Sequence, residues 1–145
     1  MDQEALKQLL FDAIQRLENN GLIDYHFREC YLLKEDGGTR FFFDLISNFS
    51  TDVGKVVKQM GKTLNQPHVD LSEMNELCIK LKGSAACIGA CRISAACSNL
   101  SHAIEKESKE GCLQVLNDIK HEYKNLQHRL SEILRVEQEL ISRYI

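Results

Sequence analysis

The chain has 145 residues, 43% of them hydrophobic and 27% charged, enough for one globular domain that buries a core without staples. A net charge of −3 and a pI near 5.9 exclude the basic excess of a nucleic-acid binder. The 18 Lys and Arg residues are scattered, no apolar run nears the roughly 20 residues that span a bilayer, and MDQEALKQLL lacks a basic-then-apolar signal. An intracellular protein with no membrane and no nucleic-acid partner is expected.

Taken in chain order, one proline and eight glycines leave few breakers and favour an all-helical chain. The first helix is expected from Asp2, a good N-cap, to Asn20, with Gly21 as its stop. A short second helix follows from Asp24 to about Leu33, and Glu35-Asp36-Gly37-Gly38-Thr39 reads as a loop. Phe41 to Met60 carries the apolar spacing of a long third helix that ends before Asn65-Gln66-Pro67. Gly54 and Gly61 each lower its propensity by roughly 1 kcal/mol, so packing has to hold it. Asp70 or Ser72 caps a fourth helix, and a fifth covers about Arg92 to Ser108. In the last segment Leu113, Leu116, Ile119, Tyr123, Leu126, Leu130, Ile133, Leu134, Leu140 and Ile141 recur at close to a heptad spacing. The other helices offer complementary apolar faces, so an intramolecular bundle is expected rather than a coiled coil between chains. No linker or internal repeat interrupts residues 1–145, which read as one domain.

The six cysteines, Cys30, Cys78, Cys87, Cys91, Cys97 and Cys112, show no CxxC pairing. Small reduced thiols in the core are the expectation, with metal binding and redox regulation as the alternatives. No metal and no cofactor is expected.

The fourth helix carries the anomaly. At about 100° per residue, Met74, Leu77, Cys78, Leu81, Ala85 and Ile88 fall within roughly 50° of one centre and form the core face. Ile79 lies about 140° away, Gly83 almost opposite the core, and Ala86 and Cys87 join them, with Lys82 at the edge. An isolated exposed isoleucine needs no explanation. An isoleucine, a mid-helix glycine with small neighbours and a lysine on one outer face also describe a docking patch for a protein with an anionic site.

Ile79-Lys80-Leu81-Lys82-Gly83-Ser84-Ala85-Ala86-Cys87-Ile88-Gly89-Ala90 resembles the HQLKGSSSSxGA signature of plant histidine phosphotransfer proteins. Gly21-Leu22-Ile23-Asp24 with Phe27, the segment Glu35 to Thr39, Glu107 to Leu113, and Val136-Glu137-Gln138-Glu139 are similar to further parts of that family, so the resemblance spans nearly the whole chain. It implies an all-α fold of about six helices, an antiparallel four-helix bundle with additional N-terminal helices. The family's phosphorylated histidine falls at Ile79, whose alkyl side chain has no nitrogen to attack an aspartyl phosphate. Lys80 replaces the neighbouring glutamine, and Ala85 and Ala86 replace two serines; Lys82 and Gly83 match. The resemblance therefore implies a pseudo-phosphotransfer protein, not an enzyme, that binds receiver domains of hybrid histidine kinases and response regulators in a cytokinin-type two-component relay and inhibits it without accepting phosphate.

The receiver-binding residues expected are Ile79, Lys82, Gly83 and Ala86, framed by Ile23 and Phe27 of the second helix, although Ile23 and Phe27 equally fit the core. A monomer in cytoplasm and nucleus is expected. Two rivals stand beside this reading. Phosphotransfer through His26, His68, His102, His121 or His128 is one, but none is followed by the family's lysine and glycine. A scaffold that dimerises through its last helix is the other.

Overall fold

The computed structural model describes residues 2–33 and 40–144; the loop expected at Glu35 to Thr39 lies outside them. Six helices are found among the described residues, and no strand: α1 (Gln3–Asn19), α2 (Tyr25–Leu32), α3 (Phe41–Leu64), α4 (Leu71–Ile88), α5 (Cys91–Glu105) and α6 (Lys109–Tyr144). None is long and apolar enough to cross a membrane.

Local chemistry sets most of the boundaries. Three aspartates in extended backbone cap helices by accepting a backbone N–H: Asp2 from Ala5 at 2.8 Å, Asp24 from His26 at 2.9 Å and Asp70 from Glu73 at 3.0 Å. Of the two caps considered for α4, Asp70 is the one used. Gly89 ends α4 at φ +78°, where the Ala90 N–H reaches the Ala85 carbonyl at 2.8 Å and the Gly89 N–H reaches Ala86 at 3.3 Å. This is the glycine-dependent closure of a helix C-terminus. The fifth helix stops at Glu105, short of the Ser108 expected. Ser108 serves α6 instead: its hydroxyl accepts from the Gly111 N–H at 2.9 Å and its carbonyl from the Cys112 N–H at 2.9 Å.

Helices α3, α4, α5 and α6 form a closed ring, each packed on its two neighbours, which short connections make an up-and-down bundle. Helix α1 lies against α6, and α2 against α4. The core runs through Leu10, Ile14, Phe42, Ile46, Met60, Met74, Leu81, Ile93, Leu100, Ile119 and Ile133, all at most 1% exposed. Leu77, expected in the core, is half-buried. Most of the α6 stripe is buried within the chain, and Leu113 alone of that stripe is a large exposed apolar residue, at 39%. Gly54 has a packing role: a Cβ there would stand 3.0 Å from Tyr123 Oη, which donates to the Ser50 carbonyl at 2.8 Å and ties α6 to α3.

Helix α2 is pinned from three sides. Phe27 and Tyr31 each meet Phe42 edge-on, with centroids 5.6 and 5.3 Å apart, and Phe11 of α1 meets Tyr31 at 5.2 Å. Arg28 Nε donates to Glu18 at 2.9 Å, and the Asp24 N–H to the Gly89 carbonyl at 2.9 Å.

Candidate functional site

The outer face of α4 exists because Asp70 and Gly89 define the helix and its opposite stripe is consumed by the core. Ile79 projects from it at 64% exposure, the largest among the exposed large hydrophobic residues. Lys82, Gly83, Ala86 and Cys87 are exposed on the same helix. Lys82 Nζ donates to Ser98 Oγ of α5 at 3.0 Å, which steadies the ammonium without neutralising it. No atom lies within 4 Å of where a Gly83 Cβ would sit, so the bundle itself does not require glycine there. The surface is therefore an apolar knob, a patch of bare backbone and a positive charge, open to solvent. That combination can bind a protein surface with an anionic centre.

Four of the six residues expected at this surface, Ile79, Lys82, Gly83 and Ala86, are brought together. Ile23 and Phe27 are not: they are 3% and 0% exposed and belong to the core. For Phe27 the reason lies in the tertiary packing. Phe27, Cys30 and Tyr31 share one stripe of α2, and the aromatic contact with Phe42 turns that stripe inward. What α2 leaves outside was missed: Tyr25 at 63% and Leu32 at 58% exposure, Tyr25 stacked on His26 with centroids 4.2 Å apart. Their signal was present, since they occupy the opposite side from Phe27 and Tyr31, but eight residues are too few for periodicity to decide.

Where α2 begins, Asp24, His26, Ala86, Gly89 and Ser94 line a shallow open cleft at the C-terminal end of the α4 face. Asp24 Oδ1 lies 3.0 Å from His26 Nδ1 and orients the ring. His68, His102, His121 and His128 are exposed elsewhere.

Four cysteines, Cys30, Cys78, Cys97 and Cys112, are buried thiols as expected; Cys87 is exposed and Cys91 half-buried. Under Lys82, Cys78 Sγ donates to the Cys97 carbonyl at 3.2 Å. Interaction of its own side chain with the Cys78 thiol, then burial, pushes the Cys97 thiol far up, with the charge of Lys82 acting against both. Among the described residues, no three His, Cys, Asp or Glu side chains stand together as a metal site.

Comparison with known proteins agrees with this architecture. Residues 44–129 match the Hpt domain family. Histidine-containing phosphotransfer protein 2 of Arabidopsis thaliana is 30% identical over 137 residues, covering 94% of this chain and 88% of that protein. Pseudo histidine-containing phosphotransfer protein 6 of the same plant is 26% identical over 126 residues, covering 86% and 82%. The crystal structure of a histidine-containing phosphotransfer protein from maize superposes with a TM-score of 0.87 at 26% identity, over 93% of this chain and 99% of that one. With an Hpt domain matched over more than half its length and relatives that align nearly end to end, this chain belongs to the histidine-containing phosphotransfer family.

Proposed function

We propose that the chain is a pseudo form of this family. It docks the receiver domains of hybrid histidine kinases and response regulators in a cytokinin-type phosphorelay, and occupies them without taking phosphate. The observation that carries the reading is Ile79, an exposed alkyl side chain at the centre of the α4 face with Lys82 and Gly83 one turn on. Transfer from an aspartyl phosphate to this position needs a nucleophilic side-chain atom there, in line with phosphorus. Ile79 has none, and its burial against a receiver contributes roughly 1.5–3 kcal/mol to docking. Lys82 faces the receiver's acidic pocket, where its charge counts most once water leaves. Gly83 lets the receiver's loops approach the helix backbone. The chain acts as a monomer in the cytoplasm and nucleus, competing with phosphate-carrying relatives for the same receivers.

The test pairs binding with transfer. The chain is titrated against a purified plant hybrid-kinase receiver, then mixed with that receiver carrying labelled phosphate, beside an Ile79→His variant. Saturable binding with no label on the unmodified chain, and label on the variant, is expected. Label on the unmodified chain overturns the reading and points first to His26, whose ring Asp24 already orients at the edge of the same face. Absence of binding to several receivers overturns the docking role.

A further inference from the structure

Two cysteines meet where α2 packs on the last turn of α4, the thiol of one against the backbone of the other. Cys87 is exposed on the face that carries Gly83 and Ala86, whereas Cys30 of α2 is buried, at 8% exposure. Cys30 Sγ donates to the Cys87 carbonyl at 3.4 Å. That carbonyl belongs to the last turn of α4, where helix carbonyls lack intrahelical donors. The other four cysteines do not combine these features. Cys78, Cys97 and Cys112 are closed off from solvent, and the Cys91 thiol donates to the Gly21 carbonyl at 3.2 Å, beyond the break at Gly89.

We propose that Cys87 and Cys30 form an oxidisable pair, Cys87 the thiol that reacts with a hydroperoxide and Cys30 the thiol that resolves it, closing a disulfide between α4 and α2. The Cys87 thiolate attacks one peroxide oxygen; the O–O bond breaks, hydroxide leaves and is protonated to water, and Cys87 becomes a sulfenic acid. Cys30 sulfur then attacks Cys87 sulfur; the S–O bond breaks, hydroxide leaves, and the Cys30 proton completes a second water. In sum two thiols and one peroxide become one disulfide and two waters. Burial divides the roles. Peroxide in water reaches Cys87, while burial first, and then the charges of Cys87 and Glu29, raise the Cys30 thiol and keep it protonated until the sulfenic acid forms beside it. Closing the bond requires α2 to shift against the last turn of α4 until the sulfurs reach bonding distance, at the expense of its contacts with Phe42 and Glu18. Because Cys87 lies beside Gly83 and Ala86, the bond also alters the surface on which receiver docking is proposed. The test reads the bond alone.

The reduced full-length chain is treated with hydrogen peroxide, the remaining thiols are alkylated, and intact mass and a non-reducing peptide map are recorded. The expected result is loss of two hydrogens and one cross-linked peptide joining Cys30 to Cys87. Cys30→Ser, whose hydroxyl still caps the Cys87 carbonyl, should lose the cross-link and leave a sulfenic acid on Cys87 that dimedone traps. Cys87→Ser should lose both, with helix content by circular dichroism unchanged in each variant. Full alkylation of Cys30 and Cys87 after peroxide overturns the proposal. So does a bond between Cys87 and Cys91 or between Cys78 and Cys97 in its place.

Discussion

At Gly83 two demands on one residue separate cleanly. A glycine inside a helix costs about 0.5–1 kcal/mol relative to alanine, because its backbone loses more freedom on folding. Nothing lies within 4 Å of the missing Cβ, so the fold gains nothing in return. Gly83→Ala should therefore stabilise the free chain by about 0.5–1 kcal/mol in urea unfolding. If the α4 face takes a receiver at close range, the same variant should bind that receiver roughly tenfold more weakly, an effect of about 1.4 kcal/mol. A variant that is stabilised and still binds normally would show that Gly83 serves neither folding nor docking. Ile79 has the same character one turn earlier, since its exposed side chain adds nothing to the core.

The element whose position matters most is α2, because it flanks the face without belonging to the four-helix ring. Its attachment to α4 passes through Gly89. A Cβ on Gly89 would fall 2.3 Å from Asp24 Oδ1 and 2.9 Å from the backbone nitrogen of Phe27, at a φ of +78° that L side chains avoid. Gly89→Ala has to move α2, the α4 terminus or both, and should destabilise by more than about 2 kcal/mol in the same unfolding experiment. It should also shift the amide signals of Asp24 to Phe27 while leaving the α3–α6 contact unchanged. A loss below about 0.5 kcal/mol would mean that the α2–α4 junction is looser than the Asp24–Gly89 hydrogen bond indicates.

For the whole molecule, burial of acidic protons sets the response to alkali. Desolvation raises Cys30, Cys112 and Tyr123 above their ordinary values of 9.0 for the thiols and 10.0 for the phenol. The folded chain thus holds these protons more tightly than the unfolded chain. Their contribution to stability is complete below the unfolded values and is lost as pH rises through the higher folded ones. Cys78 and Cys97, hydrogen-bonded to each other, shift in opposite directions. The unfolding midpoint should fall steadily between about pH 8 and about pH 11. Tyr123→Phe should show a shallower fall, besides losing about 1 kcal/mol with its bond to the Ser50 carbonyl. A midpoint that rises over this range would contradict the burial of these groups.

Helix number, order and most ends were legible in the amino-acid sequence, because caps are short-range devices: Asp2, Asp24, Asp70 and Gly89 act within about five residues of themselves. The outward direction of Ile79, Lys82, Gly83 and Ala86 was legible too, since an 18-residue helix samples its own period several times. The family was legible as well, in the signature from Ile79 to Ala90, and the comparisons with known proteins bore it out. Tertiary structure alone decided that Ile23 and Phe27 are core and that Tyr25 and Leu32 are surface. An eight-residue helix turns little more than twice, so its inward face is chosen by the Phe42 and Gly89 contacts from distant parts of the chain. For the same reason the meeting of Cys30 with Cys87, 57 residues apart, could not be read from spacing; only the packing of α2 on α4 brings them together.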